Sequence, residues 1–335
     1  MVRLDPRRYV GEILTGGYRL DRVIGRGGFA AVYHARRFDG AEAAVKILLL
    51  ESERARKRFV REIKVMQSLP ASPHLVGYVA HGSTWDGRPF LAMDYVPGMT
   101  LAQKQREEGV LPERDACVVA YQVALALQAL HCYGIVHRDV KPTNVLLCQG
   151  GVVKLFDFGL VLDSEGLLRL FEEADILQGS DFAEDLEEGI VAGTPQYMAP
   201  EQFFWAIEKD VGAPPVTAAA DVFSVGVMLH RLLVGRLPLE LDKKSRPSTP
   251  RKVMAFLMER SGRIDAGLDC PDGVEEPLWS IVHRALASQP GQRQPHSRAL
   301  ADDLWGYLTE GTGPASLDEP TTEVSPSLLA MCEEG

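Results

Sequence analysis

Eight residues, HRDVKPTN at 137–144, constrain this chain more than any other stretch: they set a carboxylate (Asp139), an ammonium (Lys141) and an amide (Asn144) within one short loop. The loop follows a long helical pattern. A second carboxylate, Asp157, opens Asp-Phe-Gly at 157–159 directly after the strand-like run VVKLF. Either motif alone also reads as a loop stabilised by aspartate capping. Their order and spacing together point instead to one site that gathers a base, a cation and two hard oxygen ligands.

The pattern upstream is strand-like. YRLDRVIG, AAVYHARR and EAAVKILLL are separated by glycines and an Asp-Gly pair, which predicts a small antiparallel sheet. ESERARKRFVREIKVMQSL then carries Phe59, Ile63, Met66 and Leu69 at spacings of three or four, the mark of an amphipathic helix. Two more strands are expected at LVGYVAHGSTWD and RPFLAMDYV, after which Pro97-Gly98 breaks the pattern as a hinge. Long helical patterns follow at 112–133, 221–235 and 277–288, so the second part is expected to be mainly helical.

Charge and cysteine usage narrow the function classes. A net charge of -10 disfavours binding to a phosphate polymer or an anionic membrane, and no basic run offsets it, so nucleic acid is not an expected partner. The five cysteines form no CxxC pair, which predicts reduced thiols and a cytoplasmic location. The N-terminus lacks the apolar core of a secretory signal. The apolar stretch from Val118 to Val136 is interrupted by Gln122, Gln128 and His131, so a buried helix is expected there and no membrane span.

IGRGGFAAV places Gly25 and Gly27 in a tight turn between strands, where missing side chains let backbone N–H groups approach phosphate oxygens. A glycine-rich hairpin is also simply a turn. What lifts this one is Ala44-Val45-Lys46 on the next strand, at a spacing that lets the lysine reach the same phosphates. A lysine on a buried strand needs a counter-charge, and Glu62 on the following helix is the candidate, unless both are ordinary surface charges.

These residues resemble the eukaryotic-type (Hanks-type) serine/threonine protein kinases, and the chain is similar to their bacterial members from about Tyr18 to Leu308. The resemblance implies an α+β, bilobal fold with a small antiparallel β-sheet plus one helix at 18–96 and a mainly helical lobe at 97–308. It implies an extension at 1–17, an activation segment at 157–201 and a flexible tail at 309–335. The implied activity is transfer of the γ-phosphoryl group of ATP to Ser/Thr hydroxyls of proteins, autophosphorylation included, with Mg2+ or Mn2+. Asp139 would be the catalytic base, Lys141 would neutralise the transferring group, and Asn144 and Asp157 would hold the metal. Gly25, Gly27, Val32 and Ala44 would enclose ATP, Lys46 would bind its α- and β-phosphates, and Glu62 would hold Lys46. Met93 would be the gatekeeper, and the backbone of Asp94 to Val96 would meet adenine. GTPQYMAPEQ at 193–202 resembles the substrate-positioning loop, with Glu201 paired to Arg293 and Asp221 bracing the catalytic loop.

Two departures stand out. Ala30 occupies the third glycine position and adds only a methyl group, which leaves ATP binding expected. The segment from Asp157 to Glu201 runs 45 positions and contains an acidic insertion at 165–189. Within it, Leu167, Leu170, Phe171, Ala174 and Leu177 fall at helical spacing, with Glu172, Glu173 and Asp175 off that stripe, so an added amphipathic helix is expected, packed on the core or docking a partner. A pseudokinase scaffold that binds nucleotide is the alternative function, and a small-molecule phosphotransferase of related fold is a third. The intact Lys46, Asp139, Asn144 and Asp157 argue against the former, and Ala-Pro-Glu with Asp221 against the latter.

Overall fold

Cross-strand register, more than strand length, decides what the first half of the chain presents. The computed structural model describes residues 4–69, 71–163, 194–207, 216–240 and 249–309. Strands β1 (Ile13–Leu14), β2 (Tyr18–Arg26), β3 (Ala30–Arg37), β4 (Glu42–Leu48), β5 (Tyr78–Ser83) and β6 (Pro89–Asp94) form one antiparallel sheet in the order β1-β2-β3-β4-β6-β5. Gly25 pairs with Val32, Val32 with Lys46, and Ala44 with Met93. Side chains directly opposite one another share a face, as do those two apart on one strand. Val32, Ala44, Lys46 and Met93 therefore line a single face of the sheet.

Helix α1 (Glu53–Ser68) starts where the Ser52 hydroxyl accepts a hydrogen bond from the Ala55 N–H. Its apolar stripe, Phe59, Ile63 and Met66, is buried, and Glu62 is buried with it. The segment before β2 is also tied down. Tyr9 is fully buried, its hydroxyl donates to Asp86 Oδ2 at 2.8 Å, and Tyr33 donates to the Pro6 carbonyl at 2.7 Å.

The chain leaves this sheet after Asp94, and β7 (Gly98–Thr100) pairs with β9 (Val145–Cys148), which pairs in turn with β10 (Val153–Leu155). Gly98 has φ 151°, and a Cβ built on it would lie 2.2 Å from the Leu147 carbonyl oxygen. Only glycine lets the hinge strand approach this closely. Gly98→Ala is expected to lower unfolding free energy by about 2–3 kcal/mol, through strain and loss of β7–β9 pairing, as read by urea denaturation.

The second lobe contains α2 (Leu101–Glu108), α3 (Glu113–His131), α4 (Pro200–Ile207), α5 (Ala218–Val234), α6 (Pro250–Asp265), α7 (Glu276–Ala285) and α8 (Ser297–Thr309), with a short ladder of β8 (Ile135–Val136) and β11 (Leu162–Asp163). Gln122, which interrupts the apolar run of α3, is buried but satisfied: it accepts from the Val153 N–H at 2.8 Å and donates to the Gly151 carbonyl at 3.0 Å. Among the described residues no helix is long and apolar enough to cross a membrane. The helix expected at 167–177, and the tail beyond Thr309, lie outside the described residues.

Candidate active site

The site begins with two strained residues. Arg138 and Asp157 have φ of 68° and 70°, a left-handed conformation that costs a non-glycine residue on the order of 1 kcal/mol or more. At Arg138 the strain is held from below. Asp221, at the start of α5 and fully buried, accepts hydrogen bonds from the N–H groups of His137 and Arg138, both at 2.8 Å, and from His131 Nε2 at 2.8 Å. Burial alone would raise the Asp221 carboxyl, but the His131 hydrogen bond and the backbone donors hold it below the usual carboxylate range.

The residues of HRDVKPTN are brought together around Asp139. Lys141 Nζ donates to Asp139 Oδ2 at 2.6 Å, and Asn144 Nδ2 donates to the Asp139 backbone carbonyl at 2.9 Å and to Oδ2 at 3.2 Å. Oδ1 accepts no hydrogen bond among the described residues. Burial, reinforced by the charge of Asp157, raises the Asp139 carboxyl above its ordinary value against the pull of Lys141. His137 is pushed the other way, held neutral by burial, with its ring 5.5 Å from that of the fully buried Phe158.

From the sheet side, Lys46 Nζ donates to Glu62 Oε1 at 2.6 Å, to Glu62 Oε2 at 2.8 Å and to Asp157 Oδ1 at 3.0 Å. Burial works against the ammonium, but the two carboxylates outweigh it and raise Lys46, so it stays charged. Asp157 is lowered in the same exchange, because Lys46 overcomes its burial. The expected Lys46–Glu62 pair is thus present, and one ammonium ties β4 and α1 to the Asp-Phe-Gly turn. Met93 is buried, whereas Asp94 and Val96 lie at and just beyond the end of β6, where the chain passes to Gly98.

A divalent cation fits this donor set. Asn144 commits its amide nitrogen to Asp139, which leaves Oδ1 as ligand, and the Asp157 side chain is 38% exposed. Among the described residues no group of three or more His, Cys, Asp or Glu surrounds a metal position. A hard divalent cation needs only one or two protein oxygens when water and substrate phosphates complete its coordination.

Thr194 and the loop after it form the opposite wall. Lys141 Nζ reaches Thr194 Oγ1 at 3.1 Å as well as Asp139. Glu201 pairs with Arg293 through two contacts of 2.6 and 2.9 Å, both side chains being buried. Three residues that sequence reasoning passed over complete this wall. Gln202 accepts from the Ala199 N–H at 2.9 Å and donates to the Arg138 carbonyl at 3.0 Å, which couples the two loops directly. Ser224 donates to the Tyr197 carbonyl at 2.8 Å. Arg260, on α6, donates to carbonyls of the 195–198 stretch. A signal for Arg260 is present in the sequence, since it shares a helical stripe with Val253, Phe256, Leu257 and Ile264, where a charge is out of place.

Comparison with protein families matches residues 18–305 to the protein kinase domain. Among curated proteins, serine/threonine-protein kinase PksC of Streptomyces coelicolor is 32% identical over 318 residues, covering 88% of this chain and 50% of that protein. Serine/threonine-protein kinase pkn3 of Myxococcus xanthus is 30% identical over 309 residues, covering 90% of this chain and 51% of that protein. Serine/threonine-protein kinase PknK of Mycobacterium tuberculosis is 33% identical over 300 residues, covering 88% of this chain and 24% of that protein. The chain spans about half the length of the first two relatives and less of the third.

Proposed function

This chain belongs to the protein kinase family, and from that premise we propose that it transfers the γ-phosphoryl group of ATP to Ser and Thr hydroxyls of proteins, its own included. The observation that carries the reading is the Lys46–Glu62–Asp157 triangle formed together with the Asp139–Lys141–Asn144 cluster. Phosphoryl transfer requires a positioned nucleotide and neutralised charge more than covalent chemistry, and these two clusters supply side chains suited to both.

In this reading Gly25, Gly27, Val32, Ala44 and Met93 enclose the nucleotide, and the backbone of Asp94 to Val96 meets its base. Lys46 holds the phosphates, while Glu62 fixes the lysine. Asp139 Oδ2 is occupied by Lys141 and Asn144, so Oδ1 is the atom that receives the proton of the acceptor hydroxyl. Lys141, bonded to both Asp139 and Thr194, is placed to neutralise the transferring group. Asn144 and Asp157 would hold Mg2+, with Mn2+ as a substitute, and the ion would supply charge neutralisation of the phosphates. Domain limits follow the same logic, with lobes at 18–96 and 97–308 meeting at Gly98. The described cysteines form no disulfide, which supports a reducing, cytoplasmic setting.

Incubation with γ-labelled ATP, magnesium and casein, followed by acid hydrolysis, tests the activity. Label is expected in phosphoserine and phosphothreonine and is expected to vanish with EDTA. Nucleotide binding without any transfer would favour a scaffold, and label confined to small molecules would favour a different acceptor class.

Regulation is read from charge. Arg138 is buried, and burial together with Arg61 and Arg58 of α1 pushes its guanidinium down to about 10, so these three arginines form a positive cluster. Ser164 and Ser180 of that segment lie outside the described residues, as does the acidic insertion at 165–189. In this reading an acidic residue of the insertion serves Arg138 in place of part of the role of a phosphate, and the apolar stripe of the insertion either packs on the core or docks a partner protein. Phosphatase-treated protein is then expected to retain at least about half of its activity, a change of under about 0.4 kcal/mol in barrier. Loss of nearly all activity on that treatment would sink the assignment.

A further inference from the structure

Arg260 is fully buried on α6 and has no carboxylate within ion-pair distance among the described residues. Its guanidinium is spent on backbone. Nη1 donates to the carbonyls of Pro195 at 3.1 Å and Gln196 at 2.9 Å, and Nη2 donates to that of Met198. The group lies 4.8 Å from the Phe223 ring centroid and 5.6 Å from that of Phe256, and Arg293 lies 4.7 Å from the same Phe223 ring. Burial and the charge of Arg293 lower the guanidinium to about 9, which still leaves it protonated at neutral pH.

A buried cation of this kind is costly, and a helix that only needed to pack would place a leucine there. What the arginine does that leucine cannot is hold three carbonyls with one rigid planar fork. Those carbonyls belong to the stretch that begins beside Thr194, the residue bonded to Lys141, and runs on to Glu201. The other fastenings of the stretch come from α5, where Ser224 holds the Tyr197 carbonyl and Arg231 donates to the Tyr197 hydroxyl at 2.5 Å. Among the described residues Arg260 makes the hydrogen bonds that tie it to α6, where Met198 also packs with Val253, Phe256 and Leu257.

We propose that Arg260 is a positioning residue for the protein acceptor: it fixes the backbone of 195–198 as the ledge against which the acceptor chain docks beside Asp139, and so sets affinity for protein and not for ATP. This rests on the kinase reading above. In steady-state kinetics with casein, Arg260→Met is expected to raise the casein KM about tenfold while the ATP KM and acceptor-free ATP hydrolysis stay within about twofold, since only acceptor binding is altered. Arg260→Lys keeps the charge but loses the fork, so an intermediate rise of about threefold is expected. Ile264→Ala, a cavity in the same helix but outside the cluster that holds Met198, controls for destabilisation and is expected to leave the casein KM unchanged.

Hydrogen exchange at the amides of 196–199 is the second readout. It is expected to quicken in both Arg260 variants and not in Ile264→Ala, and it needs no catalytic activity. If the wild type transfers no phosphate, the kinase reading fails, and exchange still judges the fastening. Should Arg260→Met not fold, Arg260→Lys carries both measurements. Unchanged casein KM, unchanged exchange, or an equal KM rise in Ile264→Ala would each overturn the proposal.

Discussion

Replacing Asp139 with Asn is expected to lower kcat about 10²- to 10⁴-fold, with the ATP KM changed by no more than about twofold. The substitution is nearly isosteric, and Lys141 and Asn144 both address Oδ2, so the loop has reason to keep its shape. What disappears is the basicity of Oδ1. A mutation that lowers kcat without raising KM has removed an interaction made in the transition state. The pH dependence gives an independent check. Burial raises the Asp139 carboxyl, so in the wild type activity should fall on acidification at a pH above the ordinary aspartate range, where the base becomes protonated. The variant should lose that limb of the profile. Equal labelling of casein by the two proteins would refute the role given to Asp139.

The setting of that carboxylate shows what a linear sequence discloses. Asp139, Lys141, Asn144 and Asp157 were legible because the chemistry is local: three of the four lie in eight residues, and the fourth follows a strand. Lys46–Glu62 was legible as a candidate because a lysine on a buried strand needs a counter-charge and Glu62 lies on the helix that follows. The pairing of Glu201 with Arg293, 92 positions apart, entered only through the family resemblance. Helices α6 and α8 went unread, although the structure shows both. In α6 the apolar stripe is broken by Arg260, the residue that gives the helix its contact with the substrate loop. Gln202 was passed over for a different reason: a neutral amide beside a charged neighbour carries no signal of burial, and its partner across the site, the Arg138 carbonyl, lies 64 positions away. The strand β1 and the buried Tyr9 were missed because two residues of ladder are too short to leave a periodic trace.

These contacts make the acceptor side of the site a continuous piece of structure. Lys141 joins Asp139 to Thr194, Gln202 joins the backbone at Ala199 to that at Arg138, and Phe223 is shared by the guanidiniums of Arg260 and Arg293. The base and the loop that presents its substrate are therefore not positioned independently. A disturbance at Arg293 should reach both.

Arg293→Met tests that dependence and carries the largest expected cost in stability. Arg293 and Glu201 are both buried, and the guanidinium also donates to the carbonyls of Ala219 at 2.9 Å, Ala287 at 2.7 Å and Ser288 at 2.9 Å. Removing it leaves a carboxylate and three carbonyls without their donor. Breaking one side of a buried pair typically costs about 3–5 kcal/mol, much of it the penalty of the stranded charge. Urea denaturation at neutral pH should show a loss of that size. A second substitution separates stranded charge from lost packing. Adding Glu201→Gln removes the charge outright, so the double variant should be more stable than Arg293→Met alone at neutral pH. A deficit that is additive between the two substitutions would mean that Arg293 serves the fold by packing and carbonyl bonds alone, with the ion pair contributing nothing.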